Sequence, residues 1–272
     1  MLDTKRMLSC SSLVLAIAVF IGGAQAATYE GKPVAIGQGT ARVVVQTDKT
    51  DKPVSVAVRF TPGMLQGLPT TLNKIMADGG WEYVLPMPAK GPKTGFSHVA
   101  IDWNPQGHPP PHVYTVPHFD FHFYAMSTAD VAKVHFSGSS DPATQVSDKG
   151  LIAANYQVIP DTAIDKMGVH AIDTTAPEFH GQPFTATFIY GYYQGRLTFV
   201  EPMVTRAYLL KKPNFTKAVP RPAHYSLSGY YPSRYTVRYD ARHKLYSVEL
   251  AELQYEGASL TSLMPAPKGG NP

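Results

Sequence analysis

Between Pro117 and Tyr124 the chain reads PHFDFHFY. Phe119, Phe121 and Phe123 alternate with His118, Asp120, His122 and Tyr124, and a period of two sends the two sets to opposite faces of a β-strand. One face is hydrocarbon, and the other carries groups that bind protons and metals. This strand fixes a site hypothesis more firmly than it fixes a reaction.

Strand signals also dominate elsewhere. ARVVVQT (Ala41 to Thr47), VSVAVRF (Val54 to Phe60), WEYVLPM (Trp81 to Met87) and HVAIDW (His98 to Trp103) are short, β-branched or aromatic, and separated by turn residues. FTATFIY and RLTFVEPM flank Gly191 to Gly195, a loop with the length and glycine content of a hairpin. RYTVRYD and KLYSVELAELQY form a second hairpin around Ala241, Arg242 and His243. Helical patterns are brief: one is expected from an N-cap at Ser127 through ADVAKVHF, another over Leu68 to Asp78. The proline-dense stretch Asn104 to Pro117 is expected to be an ordered loop, because proline fixes φ. The expected fold is all-β, or β-rich α+β: an antiparallel sandwich or barrel with a few short helices.

The N-terminus has the order of an export signal. Lys5 and Arg6 precede the apolar stretch Leu13 to Ile21, and Ala24-Gln25-Ala26 is a small-residue cleavage site. The stretch is shorter than the about 20 residues that span a bilayer. Residues 1–26 are therefore read as a signal peptide and 27–272 as a single β-rich domain with a frayed tail, MPAPKGGNP. The product is expected to be periplasmic or extracellular, with no transmembrane anchor after cleavage. Cys10, the sole cysteine, precedes the apolar stretch, so the mature chain has neither disulfides nor thiolate ligands. Losing Asp3, Lys5 and Arg6 takes one positive charge off a net +4. No dense basic stripe appears, which argues against nucleic acid as a partner. A homo-oligomer is left open.

Imidazole nitrogen and carboxylate oxygen suit zinc, manganese or iron. On a flat strand at roughly 3.3 Å per residue, His118 and His122 stand about 13 Å apart, so both reach one ion only if the strand bends or bulges. Otherwise one ligates while Asp120 or the other histidine supports it from outside. Further ligands must come from other segments. His170 in KMGVHAID and Glu201 in FVEPM are the best donors, the latter because a carboxylate and Pro202 interrupt an apolar strand. His108 and His112, in the proline-dense loop, are candidates to cap the site or to bind in place of one of these residues. Each residue also has a plainer reading: a solvated strand face, or a buried His-Asp pair holding the fold together by hydrogen bonds. His98, His135, His180, His224 and His243 carry no pattern of their own. No dinucleotide fingerprint, nucleophile elbow, H-E-x-x-H helix or C-x-x-C pair is present.

WNPQGHPPPHVYTVPHFDFHFY, MGVHAIDTTAPEF and FTATFIYGYYQGRLTFVEPMVT together cover roughly the middle third of the chain. At these segments it resembles a bacterial, often exported family of uncharacterised proteins, typified by a hypothetical protein under sigma-E and anti-sigma-E control. The resemblance implies that His108, His118, Asp120, His122, His170 and Glu201 occupy family motif positions, and implies no activity. A looser similarity to α-carbonic anhydrases lies in histidines alternating on a strand, but Asp120 stands between the two here. Cupins resemble it in ligand chemistry without their glycine-framed motif.

The sequence thus reads as an exported β-rich metalloprotein with a divalent ion near His118, Asp120, His122, His170 and Glu201. In an enzyme of this kind, a hydrolase or lyase of unknown substrate, the metal polarises a carbonyl or activates water. The alternative is a non-catalytic envelope module that binds a small ligand or a protein partner through the same polar face.

Overall fold

Alternating β-branched and aromatic residues build three groups of strands, which a computed structural model describes for residues 25–74 and 79–259. In chain order they are β1 (Thr28–Glu30), β2 (Val34–Ile36), β3 (Gly39–Thr47), β4 (Pro53–Phe60), β5 (Trp81–Pro86), β6 (His98–Asn104), β7 (His118–Tyr124) and β8 (Tyr156–Ile164). There follow β9 (Gly168–Asp173), β10 (Ala186–Tyr193), β11 (Arg196–Thr205), β12 (Asn214–Ala218), β13 (Gly229–Tyr231), β14 (Arg234–Asp240), β15 (Leu245–Ala251) and β16 (Gln254–Glu256). One sheet has the order β1-β3-β4-β15-β14-β12, with β2 on β3; the other runs β5-β6-β7-β11-β10-β9-β8; β13 and β16 form a small ribbon. Every pairing between these strands is antiparallel.

The two large sheets face one another as a sandwich. Val43, Val45, Val56, Val58 and Phe60 of the first sheet share one apolar core with Val99, Ile101, Phe119, Phe121 and Phe123 of the second. Phe60 and Phe121 stack across the gap with ring centroids 6.1 Å apart. The phenylalanine face of β7 therefore lies inside the sandwich, as its alternation requires.

The polar face of β7 is also buried, and all seven residues of the strand are withdrawn from solvent. The solvated-face reading therefore falls. Two smaller apolar clusters cover the outer side of this sheet: Ala100, Tyr124, Val131, Met167 and Phe199 at one end, and Tyr114, Phe184, Ile189 and Met203 at the other. Tyr114 comes from the loop between β6 and β7, and Phe184 from the segment before β10. A layer of histidines and carboxylates is thus enclosed between the sheet and its own connections.

The helices are shorter than the sequence patterns suggest. Ser127 caps α1 (Thr128–Val131) by accepting from the Asp130 N–H, as expected, but the helix stops at Val131 rather than running to Phe136. Val131 and Val134 are the only buried side chains of this stretch before Phe136, too few to hold further turns. The helix expected over Leu68 to Asp78 is absent from its described part, Leu68 to Lys74, which is irregular. There the carbonyls of Pro69 and Thr71 accept from the indoles of Trp103 and Trp81, a use of the backbone that competes with helical bonding. A second short helix, α2 (Arg206–Leu210), follows β11. The proposed signal segment lies almost wholly outside the described residues, as does the C-terminal tail.

Candidate metal centre

Register decides which polar groups meet. In the antiparallel pair β6 and β7, His98 faces Tyr124, Ala100 faces His122, Asp102 faces Asp120 and Asn104 faces His118. All eight share the outer face, and Ala100 leaves room beside the His122 ring. On the other side β11 runs past β7 with Val200 opposite Phe123 and Met203 opposite Asp120, the ladder lapsing around Pro202, which has no N–H to give. Glu201 is thereby brought beside His122. Two strands beyond β11, β9 supplies His170, opposite Gly191 of β10.

The five ligands expected for one ion separate into two groups. His122, His170 and Glu201 form one, and Asp120 and His118 join His108 in the other; within each, one potential ligand atom per residue lies within 4.8 Å of the others. The single-ion arrangement is therefore corrected. β7 is not bent enough to bring residues 118 and 122 together, so each end of the strand gathers its own partners. His108 does reach the site from the loop. His112 does not cap it: the residue is exposed, with φ 66°, and its N–H bonds to the Thr115 hydroxyl.

Both groups are two imidazoles and one carboxylate. In the first, Nε2 of His122 lies 3.5 Å and Nε2 of His170 3.9 Å from the same oxygen, Oε2 of Glu201. In the second, Nε2 of His118 is 3.2 Å from Oδ1 of Asp120, and Nε2 of His108 is 3.4 Å from Oδ2. Ligand atoms around a tetrahedral ion with bonds of 2.0 to 2.1 Å stand about 3.3 to 3.4 Å apart. The residues present fit a divalent ion in donor type and in spacing.

The orientation of the rings points the same way. Nδ1 of His170 is 2.7 Å from the Thr162 carbonyl, Nδ1 of His118 2.7 Å from that of Val116, and Nδ1 of His108 2.8 Å from that of Pro109. A carbonyl only accepts, so each bond places the proton on Nδ1 and, in the neutral ring, leaves the Nε2 lone pair facing the carboxylate. His122 turns Nδ1 toward Asp102 instead, at 3.3 Å. Such outer partners fix the tautomer and orientation of metal-binding histidines.

Local backbone builds these supports. Register slips between Ile159 and Ile164 in β8, and the resulting bulge folds Thr162 over His170. The Thr162 hydroxyl donates to the Ile159 carbonyl and accepts from the His170 N–H. Phe199 packs between the two histidines of the first group, with its ring T-shaped to His122 at 4.6 Å and 5.4 Å from His170. Over the second group, Phe184 and Tyr114 pack against His118. Burial pushes the Tyr114 phenol up, aided by Glu178, to which its hydroxyl donates at 3.4 Å.

Burial also sets the charge states. It lowers His122 to about 3 against the weaker opposing pull of Asp120, and lowers His170 to about 4 against its bond to Thr162. Burial works to raise Asp120, but the positive charge of His118 and the contacts of His108 and His118 outweigh it and hold the carboxyl well below its usual range. Asn104 adds an amide donor to Asp120 Oδ2 at 2.6 Å. The rings of His122 and His170 are thus neutral, the state in which an imidazole nitrogen binds a metal ion, whereas beside Asp120 the positive charge on His118 stands where a cation would.

Sequence reasoning missed Asp102, Asn104 and Thr162. The first two had a signal: in HVAIDWN, residues 98, 102 and 104 alternate on one face, and a strand pairing with β7 puts them beside His118 to His122. His98, passed over as isolated, is buried and stacked on Tyr124 at 4.6 Å.

Residues 48–103 match the model of the TTHB210-like family, described as hypothetical protein TTHB210. The match covers β4 to nearly all of β6, and so includes His98 and Asp102 but none of the six grouped residues. No curated protein and no solved structure matches the chain.

Proposed function

We propose that this chain is an exported, β-rich protein that binds a divalent metal ion, zinc, manganese or iron, through His122, His170 and Glu201. The observation that carries the reading is the direction of both imidazoles: His170 Nδ1 bonds to the Thr162 carbonyl and His122 Nδ1 faces Asp102 at 3.3 Å, which turns two Nε2 atoms toward one carboxylate oxygen at 3.5 and 3.9 Å. Export is supported by the order of charges, apolar stretch and small-residue site in residues 1–26. The resemblance to an often exported bacterial family, with a namesake under sigma-E control, agrees with that. Among the described residues no helix is long and apolar enough to cross a membrane.

A metal held this way can polarise a carbonyl or activate water, which is hydrolase or lyase chemistry. One observation favours the second reading, a non-catalytic module that binds a small ligand or protein: the His122 and Glu201 side chains are only 1% and 2% exposed, so a substrate reaches them only if the covering loops open.

Metal analysis of protein purified without a histidine tag, after supplementation with zinc, manganese or iron, tests the proposal. Bound metal that falls in His122→Ala and in Glu201→Ala, without additive effect in the double variant, is expected. Absence of metal, or content unchanged in the double variant, overturns it.

A further inference from the structure

We infer that His108, His118 and Asp120 form a second divalent-cation site, separate from the centre at His122, His170 and Glu201, with its third ligand supplied by the loop between β6 and β7. The inference extends the metal-binding reading but rests on its own observations. His118 and Asp120 are 0% and 3% exposed, and in the neutral ring, with its proton on Nδ1, Nε2 of His118 faces Oδ1 of Asp120 at 3.2 Å as acceptor against acceptor, with no hydrogen bond between them. Two buried polar atoms facing one another in this way carry the desolvation cost of unmade bonds, and a cation between them removes it.

The chemistry selects the kind of ion. His118 Nδ1 and His108 Nδ1 are committed to backbone carbonyls, so both Nε2 lone pairs point at the carboxylate. Two imidazoles and one carboxylate are a donor set for zinc or ferrous iron, with coordination positions left for water or a ligand. A hard ion such as calcium, which takes six to eight oxygens, is excluded by the two nitrogens. The amide of Asn104 fixes Asp120 Oδ2 from the far side, as outer partners of ligating carboxylates do.

This site differs from the first in access. The His108 side chain is 21% exposed, the most of any of the six ligands, and it sits on a loop rather than a strand. Tyr114, on the same loop, is anchored against Phe179 and Phe184. Filling the second site would add a tie between this loop and β7 at His108.

Stoichiometry tests the inference in the full mature chain. Zinc-loaded protein, dialysed against buffer, is expected to hold two zinc ions per chain. His108→Ala, a change on a partly exposed loop, should reduce this to one, and Glu201→Gln should do the same by removing the other ion. Titration of the unaltered metal-free protein with cobalt(II), followed by its visible ligand-field absorption, is expected to break at two equivalents and needs no variant to fold. A break at one equivalent that survives His108→Ala but not Glu201→Gln overturns the second site and leaves the first standing. A single ion lost on both substitutions means one shared centre and also overturns it. No uptake of zinc or cobalt removes both readings together.

Discussion

Gly191 and Phe199 face one another across β10 and β11 so closely that a methyl group on Gly191 would fall 2.2 Å from Cζ of the Phe199 ring. The glycine is there for the ring, not for its own dihedral angles. Phe199 in turn packs against His122 and His170.

Gly191→Ala is therefore expected to cost about 1 to 3 kcal/mol, the usual range for overfilling a packed interior, and to loosen metal retention. Urea denaturation of the metal-free protein and metal content after dialysis measure the two effects. Normal stability with normal metal content would show that the ring can move aside freely and does not position the histidines.

The two faces of β7 should respond differently to truncation. Phe121 is wholly buried in the core between the sheets, and Phe121→Ala is expected to cost about 3 to 5 kcal/mol. His122→Ala removes a group whose burial is itself costly, so in metal-free protein it should destabilise less. Equal losses would contradict the division of the strand into a packing face and a ligand face.

Acid should unfold the metal-free protein early. His122 and His170 are lowered to about 3 and about 4 in the fold, against about 6.5 in the unfolded chain. Between those values the unfolded chain binds protons that the native state refuses, so stability falls with falling pH, by roughly 1 kcal/mol per histidine for each unit below 6.5. His98, lowered to about 4 by burial, pulls the same way. Asp120, held low, matters only below the ordinary carboxylate range. Urea midpoints between pH 7 and pH 5 should drop steadily; a flat profile would mean that these imidazoles are already charged or solvated in the native state.

Much of this was legible in the sequence where a local pattern settled the matter. The alternation in PHFDFHFY specifies two faces, and the Gly191 to Gly195 turn specifies the hairpin of β10 and β11, because both depend on neighbours in the chain. β8 was not legible: Pro160 and Asp161 break its alternation, and only its pairing with Gly168 and with His170 to Asp173 in β9 makes it a strand. For the same reason Thr162 could not be found. KLYSVELAELQY reads as one strand but breaks at Glu252, where φ is 52°, and its end pairs with β13 instead. His118, Asp120, His122, His170 and Glu201 were named as candidate ligands and His108 as a cap, yet their division into two groups depends on the register of β7 with β6 and β11, which a single strand does not carry. His112 shows the limit of proximity in sequence: four residues from His108 in the same loop, it faces solvent.

Thr162 offers the sharpest separation between holding the fold and holding the metal. Its hydroxyl closes the β8 bulge, donating to the Ile159 carbonyl at 2.6 Å and accepting from the His170 N–H at 3.0 Å, while its carbonyl accepts from His170 Nδ1 at 2.7 Å. Thr162→Val keeps the shape and the carbonyl but deletes the hydroxyl. The His170 N–H then lacks its partner, a loss of about 1 to 3 kcal/mol, and the bulge no longer fixes the carbonyl over the ring. Metal affinity at the first centre should weaken by about 10- to 100-fold, as when other outer partners of metal-bound histidines are removed. Thr162→Ser, which restores the hydroxyl, should recover most of it. Competition for zinc with a chelator of known affinity measures this directly. If Thr162→Val loses stability but binds zinc as tightly as the parent, Thr162 serves the strand alone and His170 is oriented by something else; if serine fails to restore affinity, the hydroxyl is not the group that sets the ring.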